Sequence, residues 1–193
     1  MTTFYYADPH FGHKNIMGFD GRPFNNTDEH DQVLISNWNN VVGIDDTVYL
    51  LGDLSWHNST KTIEILKQLN GNKILIKGNH DHKLLKNVKF RDQFVEITDY
   101  KEITNDDGSG LVLCHYPLIA FRNHYYGWWH FYGHVHSTWE WDVVEYAKRK
   151  SIKTSGKPLN MVNVGAMMPW IDYAPRTFTE IVSGYSEYES KIK

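Results

Sequence analysis

The sequence predicts an α/β fold, and three observations carry that prediction. Strand-like and helix-like segments alternate as strand, helix, strand, helix, strand within about eighty residues. The inner strands of that series contain near-continuous apolar runs, as strands buried on both faces of a sheet do. The second half is richer in strand-like segments, so more than one strand layer has to be accommodated.

The elements follow in order. "TTFYYA" reads as a first strand ending at Asp8. "TDEHDQVLISNWNNVV" reads as a helix with Thr27 as N-cap, acidic residues behind it, and Val33, Leu34, Trp38, Val41 and Val42 near helical spacing. "DTVYLLGD" is a buried strand ending at Asp53, with Val48 to Leu51 as its apolar run. "STKTIEILKQLNGN" is a second helix, capped by Ser59 or Thr60 and stopped by Gly71. "KILIKGNHD" is a third strand running into a loop.

Beyond it, "QFVEITDYKEIT", "GLVLCHYP", "WHFYGHVHS" and "LNMVNVGAM" read as strands, with a turn at "NDDGSG". The stretch from Ser137 to Ser155 fits helix and irregular loop equally. "TFTEIVSGYSEY" reads as a closing helix capped by Thr177. No repeat or linker interrupts the chain, and 193 residues are enough for one well-packed domain, taken as residues 1–193.

Composition narrows the function. A net charge of -3 argues against a general nucleic-acid binder, and no extended basic track is visible. The single cysteine, Cys114, excludes an internal disulfide framework and a cysteine-rich zinc module. Cys114 itself reads as buried and inert. No stretch approaches the ~20 apolar residues of a membrane span, and no signal-like leader is visible, so a cytoplasmic protein is expected. The 11 histidines make a metal or proton-transfer site worth seeking.

The informative residues gather where strands end. "ADPH" holds Asp8 and His10, "LLGD" holds Asp53, and "KGNHD" holds Asn79, His80 and Asp81. "LCHYP" holds His115, and "GHVH" holds His134 and His136. Ligands of α/β sheets collect outside the carboxyl ends of the strands, so these five segments are expected to converge. On an extended segment His134 and His136 would face the same side. Asp, His and Asn without Cys is a donor set for Mn, Fe or Zn. So many donors suit two ions sharing a carboxylate, an arrangement that clamps a phosphate and lowers the pKa of water toward ~7. Gly52, Gly78 and Gly133 precede these donors and would allow close backbone approach.

The ordered series Asp8-x-His10, Gly52-Asp53, Gly78-Asn79-His80-Asp81, His115 and Gly133-His134-x-His136 resembles the calcineurin-like metallophosphoesterases, from Asp8 to about Gly165. "HFGHKNI", "RPF" and "NWNNVV…DTVYLLGD" look like small bacterial and phage members. The resemblance implies a four-layered α/β sandwich, two facing mixed sheets with helices outside. It also implies two divalent metal ions, with manganese expected first and iron, zinc or nickel as alternatives. Asp8, His10 and His136 would bind one, Asn79, His115 and His134 the other, and Asp53 both. His80 would protonate the leaving-group oxygen, oriented by Asp81, as metal-activated hydroxide attacks phosphorus in line.

Two departures bear on the substrate. Phosphatase relatives continue the bridging Asp into a run whose Arg grips phosphate, whereas this chain reads "GDLSWHN". Replacement phosphate contacts are sought among His13, Lys14, Asn15, Arg22 and His57. The acid that small relatives carry near the end is replaced in "NVGAM", Asn163 to Met167. The aromatic "FRNHYYGWWHF" is a candidate wall for a nucleobase. Among the other histidines, His13, His57 and His82 fit a surface place and a substrate contact equally, His124 is undecided, and His30 and His130 read as structural. The run Lys148, Arg149 and Lys150 reads as a solvated face.

The expectation is therefore a metal-dependent phosphoesterase. A diesterase acting on a nucleotide or another small diester is favoured over a phosphomonoesterase. A non-catalytic protein that holds metal and phosphate is the contrasting class, and a nuclease is a weaker variant. The oligomeric state is open.

Overall fold

The computed structural model describes residues 1–104 and 108–192. Two mixed sheets are flanked by helices. In the first sheet, β1 (Thr3–Tyr6), β2 (Thr47–Leu50), β3 (Asn72–Ile76) and β4 (Glu96–Thr98) run parallel, and β9 (Arg176–Thr177) pairs antiparallel with β1, in the order β4-β3-β2-β1-β9. The second sheet has the order β5 (Tyr100–Thr104), β6 (Gly110–Cys114), β7 (Trp129–Tyr132), β8 (Asn160–Asn163). Only its β5–β6 pair is antiparallel.

The segment read as one strand, "QFVEITDYKEIT", is two. It breaks at Asp99, and its halves belong to different sheets. Alternation of side chains continues across such a break, so periodicity cannot reveal it. Of the turn expected at "NDDGSG", residues 105–107 lie outside the described residues.

The helices are α1 (Ile16–Asp20), α2 (Thr27–Val41), α3 (Ser59–Gln68), α4 (Val88–Arg91), α5 (Trp139–Ser155) and α6 (Phe178–Ile192). The ambiguous stretch from Ser137 to Ser155 thus resolves mostly into helix. Thr138 caps α5 by accepting from Glu140 N, and Gly156 at φ 68° ends it. The caps of α2 and α3 are Asn26 and Asn58, which accept from Glu29 N and Lys61 N. Each stands upstream of the hydroxyl residues expected to cap. Asn caps about as well as Ser or Thr, so local sequence does not choose between neighbours. Helix α3 ends before Gly71, which turns the chain at φ 81°. Thr177 caps α6 as expected, exchanging hydrogen bonds with Glu180.

The main core lies between the sheets. Tyr5 meets Phe131 edge-on across the interface at 5.2 Å, and Leu111 and Leu113 point into the same core. Val112 points the other way, into a second cluster with Tyr132, Met161 and Val144 of α5. On the first sheet's outer face, Trp38 of α2 packs against Tyr6. Cys114 is buried, and burial pushes its thiol up. Lys148 does not belong to a solvated face: it is buried, donating to Glu145 at 2.9 Å and to the Tyr185 hydroxyl.

The sheets also touch through backbone. Ala7 N donates to Val164 O at 2.9 Å, and Ala166 N donates to Ala7 O at 2.8 Å. This parallel bridge ties the loop after β1 to the loop after β8 and draws the strand ends of both sheets together. Among the described residues, no helix is long and apolar enough to cross a membrane.

Candidate metal centre

The seven expected donors stand in the loops after β1, β2, β3, β6 and β7. Five of them adopt left-handed backbone: Asp8 (φ 52°), His10 (56°), Asp53 (53°), His134 (69°) and His136 (49°). Only three other non-glycine residues among those described do so, Asn123, Asp172 and Tyr173. Such conformations cost on the order of 1–3 kcal/mol each and persist where the surroundings over-determine them. His134 and His136 are therefore not neighbours on one face of a strand, because β7 ends at Tyr132. Two left-handed residues, one on each side of buried Val135, aim the rings instead.

The rings go to different groups. Asp8, His10 and His136 form one cluster, and Asp53, His115 and His134 a second, with the donor atoms of each within 4.8 Å of one another. Asn79 joins the second, its Oδ1 3.0 Å from His115 Nε2. Asp53 Oδ2 lies 3.5 Å from His115 Nε2 and 3.9 Å from His10 Nε2, facing both clusters. Asp8 Oδ1 and His10 Nε2 are buried without a hydrogen-bond partner. A buried unpaired carboxylate oxygen and ring nitrogen are expensive unless a cation lies between them, so these residues fit a divalent ion. Close approach of backbone is needed to build this: a Cβ on Gly133 would stand 2.4 Å from Asp8 Oδ2.

The charge balance points the same way. Burial opposes ionisation of Asp8, yet His10, His136 and His115 hold its carboxyl well below the usual carboxylate range. Burial pushes His10 down to about 4, which leaves its ring neutral and able to ligate. His115 is also penalised by burial, but Asp53, Asp8 and the Leu51 carbonyl lift it to about 9. Two buried carboxylates thus demand positive charge, and a metal ion would displace the proton. His115 Nδ1 donates to Leu51 O at 2.7 Å, leaving Nε2 as the ligating atom.

Comparison with known proteins agrees with this geometry. The family model for calcineurin-like phosphoesterases matches residues 1–166. This chain belongs to the calcineurin-like phosphoesterase family. It is 38% identical over 162 residues to an uncharacterised protein of Methanocaldococcus jannaschii, covering 80% of this chain and 81% of that one. It is 40% identical over 83 residues to the Gene 66 protein of Mycobacterium phage L5, covering 42% and 40%. The solved structure of a protein of unknown function from Aquifex aeolicus superposes with a TM-score of 0.69 at 28% identity, covering 94% of this chain and 97% of that one.

Around the two clusters of this calcineurin-like phosphoesterase, the other expected residues separate. His80 stands at the mouth, its side chain half exposed and its Nε2 4.0 Å from Asp53 Oδ2. Its backbone N–H donates to Asp53 Oδ1 at 2.9 Å. Among the described residues, the bonds of Asp81 run to backbone and not to the His80 ring. Its buried carboxylate accepts from Asp53 N, Leu54 N and Gly78 N at 3.1, 3.0 and 2.8 Å, bracing the two loops together. Burial pushes the Asp81 carboxyl up.

Of the sought phosphate contacts, His13 lies at the site, with Nδ1 3.1 Å from His10 Nδ1. Lys14 and Asn15 are exposed just before α1. Arg22 is only 3% exposed, with its guanidinium on Asp20, the Pro9 and Asp8 carbonyls and His30, so it stands behind the donors. His57 is held by Asp31 at 2.6 Å. His30 is buried between Arg22 and Asp31, a structural place as expected. His130 is buried and structural as well. Met167, where the resemblance leads us to look for an acid, packs against the core.

The segment expected as an aromatic wall does not line the cavities that Trp56 and His80 share. Phe121 and Trp128 are buried in the second cluster of the core. Trp56 lines both cavities next to His80, and Phe19 lines the one that contains the donors His10 and His136. Trp56, Asp20 and Asp31 are the participants that sequence reading missed. Trp56 lies three residues after Asp53 and Asp20 two before Arg22, but neither spacing has meaning until the loops fold over one another.

Proposed function

We propose that this calcineurin-like phosphoesterase is a two-metal phosphodiesterase acting on a nucleotide or another small diester, with manganese as the first candidate metal. The observation that favours a diester is the shape of the opening. Two cavities, of about 550 and 430 Å³, share Trp56 and His80 as a common wall. One, lined by His10, His13, Ile16, Phe19 and His136, adjoins the first cluster. The other lies beyond the wall, among His57, Asn58, His82 and Lys83. A phosphate held at the donors would have room for a substituent on each side, as a diester requires.

Asp8, His10 and His136 would hold one ion, Asn79, His115 and His134 the other, with Asp53 between. When bound, the ions supply Lewis-acid charge to the phosphate and lower the pKa of an attacking water. The chain's own residues do the rest. Asp53 keeps the clusters in register and, through its Oδ1, fixes the backbone of His80. His80 gives a proton to the departing oxygen at the common wall. Trp56, 4.6 Å from the His80 ring centre, limits where that ring can swing. Among the described residues, no Arg lines either cavity, which weighs against a monoester dianion, since that asks for more positive charge.

The test is a paired turnover assay. Metal-stripped protein is reloaded with Mn²⁺, Ni²⁺ or Zn²⁺ and given bis-p-nitrophenyl phosphate and p-nitrophenyl phosphate. Metal-dependent cleavage that favours the diester and disappears in Asp53→Asn is the expected result. Preference for the monoester would sink the diesterase reading. Two bound ions without turnover of either substrate would sink the enzymatic one.

A further inference from the structure

We infer that Arg22 and Asp20 are a positioning pair for the first ion cluster and set its metal affinity independently of the second. The inference rests on the reading that Asp8, His10 and His136 hold an ion. Arg22 grips the loop that carries two of these donors. Its Nη1 donates to Pro9 O at 2.8 Å and its Nη2 to Asp8 O at 2.9 Å. These are consecutive carbonyls of the turn in which Asp8 and His10 are both left-handed. A guanidinium suits this task, since its planar fork reaches both oxygens at once and stays charged when buried.

The third donor is reached through Asp20. Arg22 Nε donates to Asp20 Oδ2 at 3.0 Å, and Nη2 lies 2.9 Å from the same oxygen. Asp20 in turn accepts from His136 Nδ1, at 2.9 and 3.0 Å to its two oxygens. That contact fixes the tautomer of His136 and leaves Nε2 for the ion. One buried arginine therefore restrains the backbone of Asp8 and His10 and the ring of His136.

The far side of Arg22 is restrained too. Nη1 donates to His30 Nε2, whose Nδ1 donates to Asp31. Asp31 also accepts from Gly12 N at 3.0 Å, two residues beyond His10. The second cluster is supported by other groups, with the Asp81 carboxylate bracing the loops that carry Asp53 and Asn79. Its His115 is held by the Leu51 carbonyl, a neutral acceptor. The two clusters are thus braced by separate devices, and damage to one should leave the other able to bind.

The experiment counts ions rather than turnover alone. Wild type, Arg22→Lys and Asp20→Asn are stripped and titrated with Mn²⁺, with bound metal followed by calorimetry and electron paramagnetic resonance. Wild type should take two ions. In each variant one ion should bind about 10–100-fold more weakly while the other keeps its affinity. With bis-p-nitrophenyl phosphate, kcat at limiting metal should fall while KM holds. Wild-type affinity for both ions, equal weakening of both, or a raised KM with unchanged metal binding would overturn the positioning role. If Arg22→Lys fails to fold by circular dichroism, Asp20→Asn decides alone, because it leaves Arg22 on the Asp8 and Pro9 carbonyls. Failure of wild type to bind any ion would overturn the metal reading itself, a separate outcome.

Discussion

Asp8 Oδ1 and His10 Nε2 face each other 3.7 Å apart, both buried and neither hydrogen-bonded. The gap is too long for a hydrogen bond and the atoms are too polar to be left bare, so the fold carries an unmet demand for a cation. Ion binding should therefore stabilise the protein. At a metal concentration 1,000 times Kd, linkage supplies about 4 kcal/mol, which is on the order of a 10 °C rise in melting temperature for a chain of this size. Melting curves in chelator and in excess Mn²⁺ give the comparison, and coincident curves would speak against the site.

His80 and Asp81 should separate by what they change. His80 is half exposed and its ring meets only Trp56 and the edge of Asp53, so His80→Ala should keep both ions and near wild-type stability. It should slow cleavage of a diester with an alkoxide leaving group by about 10²–10⁴-fold. Bis-p-nitrophenyl phosphate should suffer less, because p-nitrophenolate departs without a proton. Equal losses on both substrates would deny His80 the role of acid.

Asp81→Ala should act on stability first. It strips the acceptor from three backbone amides, those of Asp53, Leu54 and Gly78, in a buried place. Unsatisfied buried donors cost about 1–3 kcal/mol each, so a loss of at least about 3 kcal/mol is expected in urea unfolding. A stable Asp81→Ala that is impaired only in turnover would return Asp81 to the role of orienting His80.

His130 carries a pH dependence of folding. Its ring is buried, with Nδ1 donating to Val112 O and Nε2 accepting from Leu118 N, and burial lowers its pKa to about 4. The unfolded chain, with an ordinary value near 6.5, binds the proton first as pH falls. The contribution of His130 is therefore complete above about pH 6.5 and is lost progressively between about 6.5 and 4, on the order of 3 kcal/mol in all. Replacing it, as in His130→Gln, should flatten the stability profile over that window. An unchanged slope would mean that other groups carry the acid sensitivity.

Gly133→Ala should damage the first cluster without touching a donor. The added methyl would stand 2.4 Å from Asp8 Oδ2 and 2.7 Å from Ala7 Cβ. Asp8 Oδ2 is also the acceptor for His134 N–H at 2.9 Å, so the shift should reach the second cluster more weakly. Weakened Mn²⁺ binding with retained folding by circular dichroism is expected, and wild-type titration curves would show that the backbone can give way.

By itself the sequence determined the alternating α/β order, the donors at the strand ends and the family they resemble. These are local properties: apolar runs, turn-forming glycines and residue types read along the chain. Tertiary structure alone decided that "QFVEITDYKEIT" splits between two sheets at Asp99, because a change of partner leaves side-chain alternation intact. It decided that Lys148 is buried, because Tyr185 of α6, distant in sequence, closes over Lys148 and its helix neighbour Glu145. It also turned Arg22 from a sought phosphate contact into a brace. A guanidinium reads alike at a surface and in a core until the carbonyls of Asp8 and Pro9 and the carboxylate of Asp20 close around it. Likewise Trp56 and Phe19 come to line one cavity with His10 and His136, since only folding brings the loops after β1 and β2 side by side.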